Sequence, residues 1–201
     1  MKSNILIDML PTDVMIDGQH YYIESNFRTA MLFELMINDE RVSDEDKAIR
    51  TLHFFYTQGI PANTEKAVDR IIEFYTCGKS LEKIKKGNKR NNKSSKKSFG
   101  GAIYSFEHDA NYIFSAFLSQ YNIDLNEIEY LHWWKFKALF DGLNDDNLIV
   151  QIMRYRATDL SQIKDKTERQ RIAKLKDVYA LPSNLTTEEK AFKIGRIFGG
   201  G

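Results

Sequence analysis

Apolar residues in this chain recur at two spacings. Val14 and Ile16 alternate with polar neighbours up to Asp17-Gly18, and Tyr21, Tyr22 and Ile23 follow. Alternation on either side of an Asp-Gly pair predicts a β-hairpin, because the turn needs positive φ and glycine supplies it without a steric clash. Two strands alone are marginal in water, so the hairpin needs a helix or a partner edge to pack on. From Phe27 onward the spacing changes to three and four, the helical period. Ser25 or Asn26 caps a first helix over Phe27 to Asn38, with apolar residues nearly all round it. Ser43 and Asp46 open a second, Asp44 to Tyr56, with Ala48, Leu52 and Phe55 on one face. Asn63 or Thr64 caps a third, Glu65 to Cys77, and Gly78 suits its C′ position.

Beyond residue 101 the helical period returns. Ser105 caps a helix over Phe106 to Tyr121, with Phe106, Ile113, Phe114, Phe117 and Tyr121 in one stripe. Tyr130 to Phe140 follows. It holds both tryptophans, Trp133 and Trp134, with Phe136 and Phe140. More than half of its circumference is apolar, which predicts the central helix of a bundle. Asn144 or Asp145 caps the next helix, carrying Leu148, Ile149 and Ile152. Asp159 to Tyr179 reads as one long charged helix with sparse apolar positions. Thr186 or Thr187 opens a last short helix with Ala191, Phe192, Ile194 and Ile197. The expected fold is mainly α: a small helical bundle with an N-terminal β-hairpin.

Charge divides the chain. Residues 1–78 carry 7 basic and 13 acidic side chains, residues 79–101 carry 9 and 1, and residues 102–201 carry 13 and 14. The middle stretch is lysine among Asn, Ser and Gly and has too little apolar surface to order itself. It is expected to be a disordered, flexible basic linker between a hairpin-plus-three-helix region, 1–78, and a helical region, 102–201. A basic tract can hold phosphates, yet no aromatics interleave between Leu81 and Phe99, so nucleic acid is not the expected partner. There is no run of 18 apolar residues for a membrane span. The first apolar run is broken at Asp8, too early for a secretory signal. Cys77 is the single cysteine.

Few residues invite chemistry. Glu107, His108 and Asp109 are sequence neighbours and do not face one another on a helix. His132 has no His or Cys at i+3 or i+4 to complete a metal set, and reads as a satisfied core or rim histidine. Gly100-Gly101 does not match a phosphate loop. No catalytic, cofactor-binding or metal-binding residue is expected, and no enzyme. Five of the six methionines lie in the first 36 residues. Methionine is over-used on adaptable binding surfaces, so Phe27, Met31, Leu35 and Met36 are the candidate partner-binding residues; core packing is the plain alternative.

The block Tyr104-Ser-Phe-Glu-His-Asp109 with Ala110 to Phe117, Leu131-His-Trp-Trp-Lys-Phe136 and Gly142-Leu143 resembles a bacteriophage tail-morphogenesis family. This is the gene-fifteen-product family of long-tailed phages and prophages of Gram-positive bacteria. Leu10-Pro11, Val14-x-Ile16-x-Gly18, Asn26-Phe27-Arg28, Met153-Arg154-Tyr155-Arg156 and Lys174-Leu-Lys176 fit the same family. The resemblance implies a gene between those of the major tail protein and the tape measure protein. It further implies a chaperone-like role, keeping the tape measure soluble during tail assembly in the host cytoplasm. Tape measure and other tail assembly proteins are then the partners, the chain is a homo-oligomer, and it is absent from the mature virion. A structural tail or connector component, or a nucleic-acid-binding regulator using the basic linker, are the alternatives.

Overall fold

The computed structural model describes residues 4–78 and 103–181. The expected linker, 79–101, and the expected last helix lie outside the described residues. The protein is mainly α. A hairpin, β1 (Asp13–Ile16) and β2 (Gln19–Tyr22), precedes α1 (Phe27–Asn38), α2 (Asp44–Phe55) and α3 (Thr64–Tyr75). Then come α4 (Ala110–Tyr121), α5 (Trp133–Asp141), α6 (Leu148–Ala157), a 3-10 turn (Leu160–Gln162) and α7 (Lys166–Val178).

The chain forms two compact units. Among the described residues, one holds 4–78 and 129–138 and the other 103–128 and 139–181. The boundary falls inside α5. Chain order alone places the Trp133-Trp134 segment in the C-terminal region; by contacts it groups with the N-terminal residues.

In the first unit, Asp17 and Gly18 take φ of 50° and 82°. Both central residues of the two-residue loop are left-handed, the geometry that Asp-Gly favours. Strand pairing runs from Ile16↔Gln19 to Asp13↔Tyr22 and buries Val14 and Ile16. Asp17 also accepts hydrogen bonds from Asn63 Nδ2 at 2.9 Å and from Lys66 Nζ, fixing the turn to the start of α3. The inner face of α1 is Phe27, Ala30, Phe33, Glu34, Met36 and Ile37. In α2 the buried positions are Lys47, Thr51 and Phe55. That stripe differs from the expected Ala48, Leu52 and Phe55. Thr51 is admitted because its hydroxyl donates to the Lys47 carbonyl at 2.7 Å. Lysine's hydrocarbon stem lets position 47 pack inward. At the end of α3, Cys77 N–H donates to the Phe74 carbonyl at 3.0 Å and Gly78 N–H to Glu73 at 2.8 Å. The left-handed C′ residue is therefore Cys77, with Gly78 one place later.

In the second unit α4 starts at Ala110, four residues later than expected. Ser105 Oγ accepts from the Glu107 and His108 N–H groups at 3.3 Å, closing a separate turn ahead of the helix. The expected long helix from Asp159 is two pieces. The Asp159 side chain accepts from Ser161 N–H at 2.9 Å and that of Asp165 from Glu168 N–H at 2.6 Å, so each aspartate caps its own element. Likewise α6 starts at Leu148 after Asn147, beyond the expected caps. Ile113, Ala116, Phe117, Ile149, Ile152 and Ile172 are buried here.

Candidate functional site

Two helix starts meet in the first unit. Asn26 and His132 form an antiparallel bridge, with Phe27 N–H on the Leu131 carbonyl at 2.9 Å and Trp133 N–H on that of Ser25 at 2.8 Å. Each residue caps the helix it precedes. Asn26 Oδ1 accepts from Arg28 N–H at 3.1 Å, and His132 Nδ1 accepts from Trp134 N–H at 3.0 Å. Ser25 Oγ and the Tyr130 hydroxyl share a hydrogen bond of 2.8 Å beside them.

Both indoles reach the end of α3. Trp133 Nε1 donates to the Tyr75 carbonyl and Trp134 Nε1 to the Phe74 carbonyl, each at 2.8 Å. The last carbonyls of a helix have no partner within it, and here two adjacent tryptophans supply one. The rings stack in sequence: Tyr75 on Trp133 at 5.5 Å, Trp133 on Phe136 at 5.7 Å and Phe136 on Phe27 at 5.3 Å. Phe33 stands edge-on to both Tyr75 and Phe55 at 5.3 Å. The Tyr75 hydroxyl donates to the buried Glu34 carboxylate, which accounts for an acid on the inner face of α1. Burial pushes the Tyr56 hydroxyl far above its ordinary pKa; it donates to the Ala67 carbonyl at 2.9 Å.

The candidate partner-binding residues divide. Phe27 and Met36 are buried, Phe27 under Phe136. Met31 is half-buried and Leu35 is 36% exposed. Of the four, only Met31 and Leu35 reach the surface, and Leu32, at 54% exposed, joins them. The reason is the helical period: positions 27, 30, 34 and 37 face inward, and 28, 32 and 35 fall opposite. More apolar surface lies ahead of the hairpin. Asn4 to Asp8 closes a turn in which the Asn4 carbonyl accepts from the Ile7 and Asp8 N–H groups at 2.9 and 2.8 Å. It presents Leu6 and Ile7 at 90% and 81% exposure, and Met9 just after it is 94% exposed. Sequence reasoning missed this turn; the signal was Asn4 and Asp8 bracketing an apolar run.

Of the expected core residues, Trp133, Trp134, Phe136, Phe140, Phe106, Ile113 and Phe117 are buried. Phe114 is half-buried instead, one turn beyond the exposed Ala110. In the second unit Tyr104 packs on Phe106 and Phe140 at 5.2 and 4.9 Å. Its polar centre is Asp109, 1% exposed. Arg156 Nη1 and Nη2 reach the two Asp109 oxygens at 2.6 and 2.9 Å, and Nη1 also donates to the Ile103 carbonyl at 3.0 Å. Arg156 Nε donates to the Tyr179 carbonyl at 2.6 Å, and Ser105 N–H donates to Asp109 at 2.9 Å. Asp109 is thus an anchor for Arg156, while Glu107 and His108 beside it are exposed.

Among the described residues no group of three or more His, Cys, Asp or Glu stands together to hold a metal ion. None of the described helices is long and apolar enough to cross a membrane. The model of the family described as Bacteriophage Gp15 protein matches residues 6–181. The chain belongs to this family. The match spans both units, and with them the tryptophan junction and the Asp109–Arg156 pair. It makes the chain a phage protein. No curated protein and no solved structure matches it.

Proposed function

We propose that the protein is a tail assembly chaperone that binds the tape measure protein. Membership of the phage family supports the setting. The observation that carries the role is the apolar surface left open on the first unit: Leu6 and Ile7 in the turn, Met9 just after it, and Leu32 and Leu35 on α1. Large exposed apolar patches mark sites of association. Leu32 and Leu35 lie three apart on one helix, with Met31 alongside, a spacing suited to an amphipathic helix of a client. A tape measure is a long, largely helical polypeptide, and such a client aggregates unless its apolar faces are covered. Several copies along one client gain affinity from one another without new client contacts, so a homo-oligomer belongs to the same proposal. No step of the role requires bond chemistry or a cofactor.

Co-expression with the tape measure protein tests it. Leu32→Asp with Leu35→Asp changes only outward positions, so the fold persists while the client passes to the insoluble fraction. A client that stays soluble with this variant, and with Leu6→Asp and Met9→Asp added, overturns the proposal. Mass spectrometry of purified particles separates the structural-component reading, because a chaperone is absent from finished tails.

A further inference from the structure

His132 is 3% exposed, whereas His20, His53 and His108 are all exposed. Both of its ring nitrogens are engaged, and the partners fix their roles. A carbonyl only accepts, so Nε2 carries the proton it donates to Pro11 at 3.0 Å. A backbone N–H only donates, so Nδ1 is the bare acceptor for Trp134. The ring is neutral in a single tautomer. The Phe74 ring of α3 stands edge-on at 5.6 Å and the Trp134 indole at 6.2 Å. Pro11, Phe74 and Asn26, which meet it from other elements, carry no charge. Lys135, on its own helix, is the cation that acts on it. Glu24, the acid beside the bridge, is occupied by Asn26 N–H at 3.0 Å.

A second proton has one place to go, Nδ1. There it faces the Trp134 N–H, donor against donor. It also sets a positive charge at the positive end of α5, next to Lys135. We propose that His132 is an acid-sensitive latch: its neutral ring caps α5 and holds the tryptophans on the end of α3, and its protonation opens that junction. Burial pulls its pKa below the ordinary 6.5; the Pro11 hydrogen bond opposes this and the Lys135 charge adds to it. The sign follows. The folded state binds the proton less well than the unfolded chain, so the latch is at full strength above pH 6.5 and weakens as pH falls from there through the lower folded value.

Because the chain has two tryptophans and both sit in the junction, their fluorescence reports it directly. The full-length protein is titrated from pH 8 to pH 5, following indole emission and the NMR signals of the four histidine rings. The His132 ring, identified as the signal missing from His132→Asn, titrates below 6.5, and the emission shifts to the red with the same midpoint. His132→Asn keeps an acceptor at the cap without a titrating proton, and it abolishes the shift. Titration of the His132 ring at or above 6.5 overturns the proposal, as does an emission that stays constant while the buried ring titrates. The same red shift in His132→Asn overturns it too. If that variant does not fold, coincidence of the ring and indole midpoints in the native protein decides.

Discussion

A tryptophan that caps another helix contributes twice, through the area it buries and through one hydrogen bond to a carbonyl that water cannot reach. Trp134→Phe keeps most of the area and removes the bond. The Phe74 carbonyl keeps the Cys77 N–H at 3.0 Å, so the lost bond costs about 0.5–1.5 kcal/mol, with a further loss from the gap the smaller ring leaves. Urea denaturation of the variant against the native protein measures it. That Trp133 and Trp134 are core was legible, since aromatics surround them at helical spacing. That their N–H groups serve the end of α3 was not, because a backbone carbonyl leaves no mark in a sequence. His132 was readable as a satisfied buried histidine, but its two partners, Pro11 and Trp134, were not. Asp109 was hidden by its neighbours: Glu107 and His108 drew attention to acid–base chemistry, while its real partner lies 47 residues along the chain.

Elements rather than residues show why that partner matters. Arg156, near the end of α6, holds the Ile103–Asp109 turn, the start of α4 and the end of α7 through one guanidinium. Removing one member of a buried ion pair leaves the other charged and uncompensated. Asp109→Asn therefore destabilises the second unit by about 3–5 kcal/mol, and Asp109→Asn with Arg156→Met recovers part of it. Thermal unfolding of the three proteins gives both numbers. Element type was legible wherever apolar spacing was regular, as in α3, and so was the hairpin from Asp17-Gly18 alone. Element boundaries were less so. Side-chain caps at Asp159 and Asp165 cut one long charged pattern into two, and the Ser105 turn delayed α4. The buried stripe of α2 was misread because Lys47 and Thr51 are polar, and only the packed fold shows a lysine stem and a self-bonded threonine facing inward.

At the scale of the whole molecule, composition and contacts draw different seams. The basic tract invites a division at residues 79–101, yet the first unit takes residues 129–138 from far beyond it. No local pattern announces this; it follows from two helix caps, Asn26 and His132, lying side by side in an antiparallel bridge. The consequence concerns the order of synthesis. Ser25 meets Tyr130, 105 positions later, so a ribosome that has made only the hairpin and the first three helices has made an unfinished object. The end of α3 still lacks its indole donors and Phe27 its stacking partner. The nascent chain has to wait, at roughly 5–20 residues per second, for the missing wedge to emerge. Residues 1–78 produced as a separate fragment are accordingly expected to lack a cooperative melting transition, and a synthetic peptide spanning 125–141 supplied in trans restores one, with calorimetry as the measure.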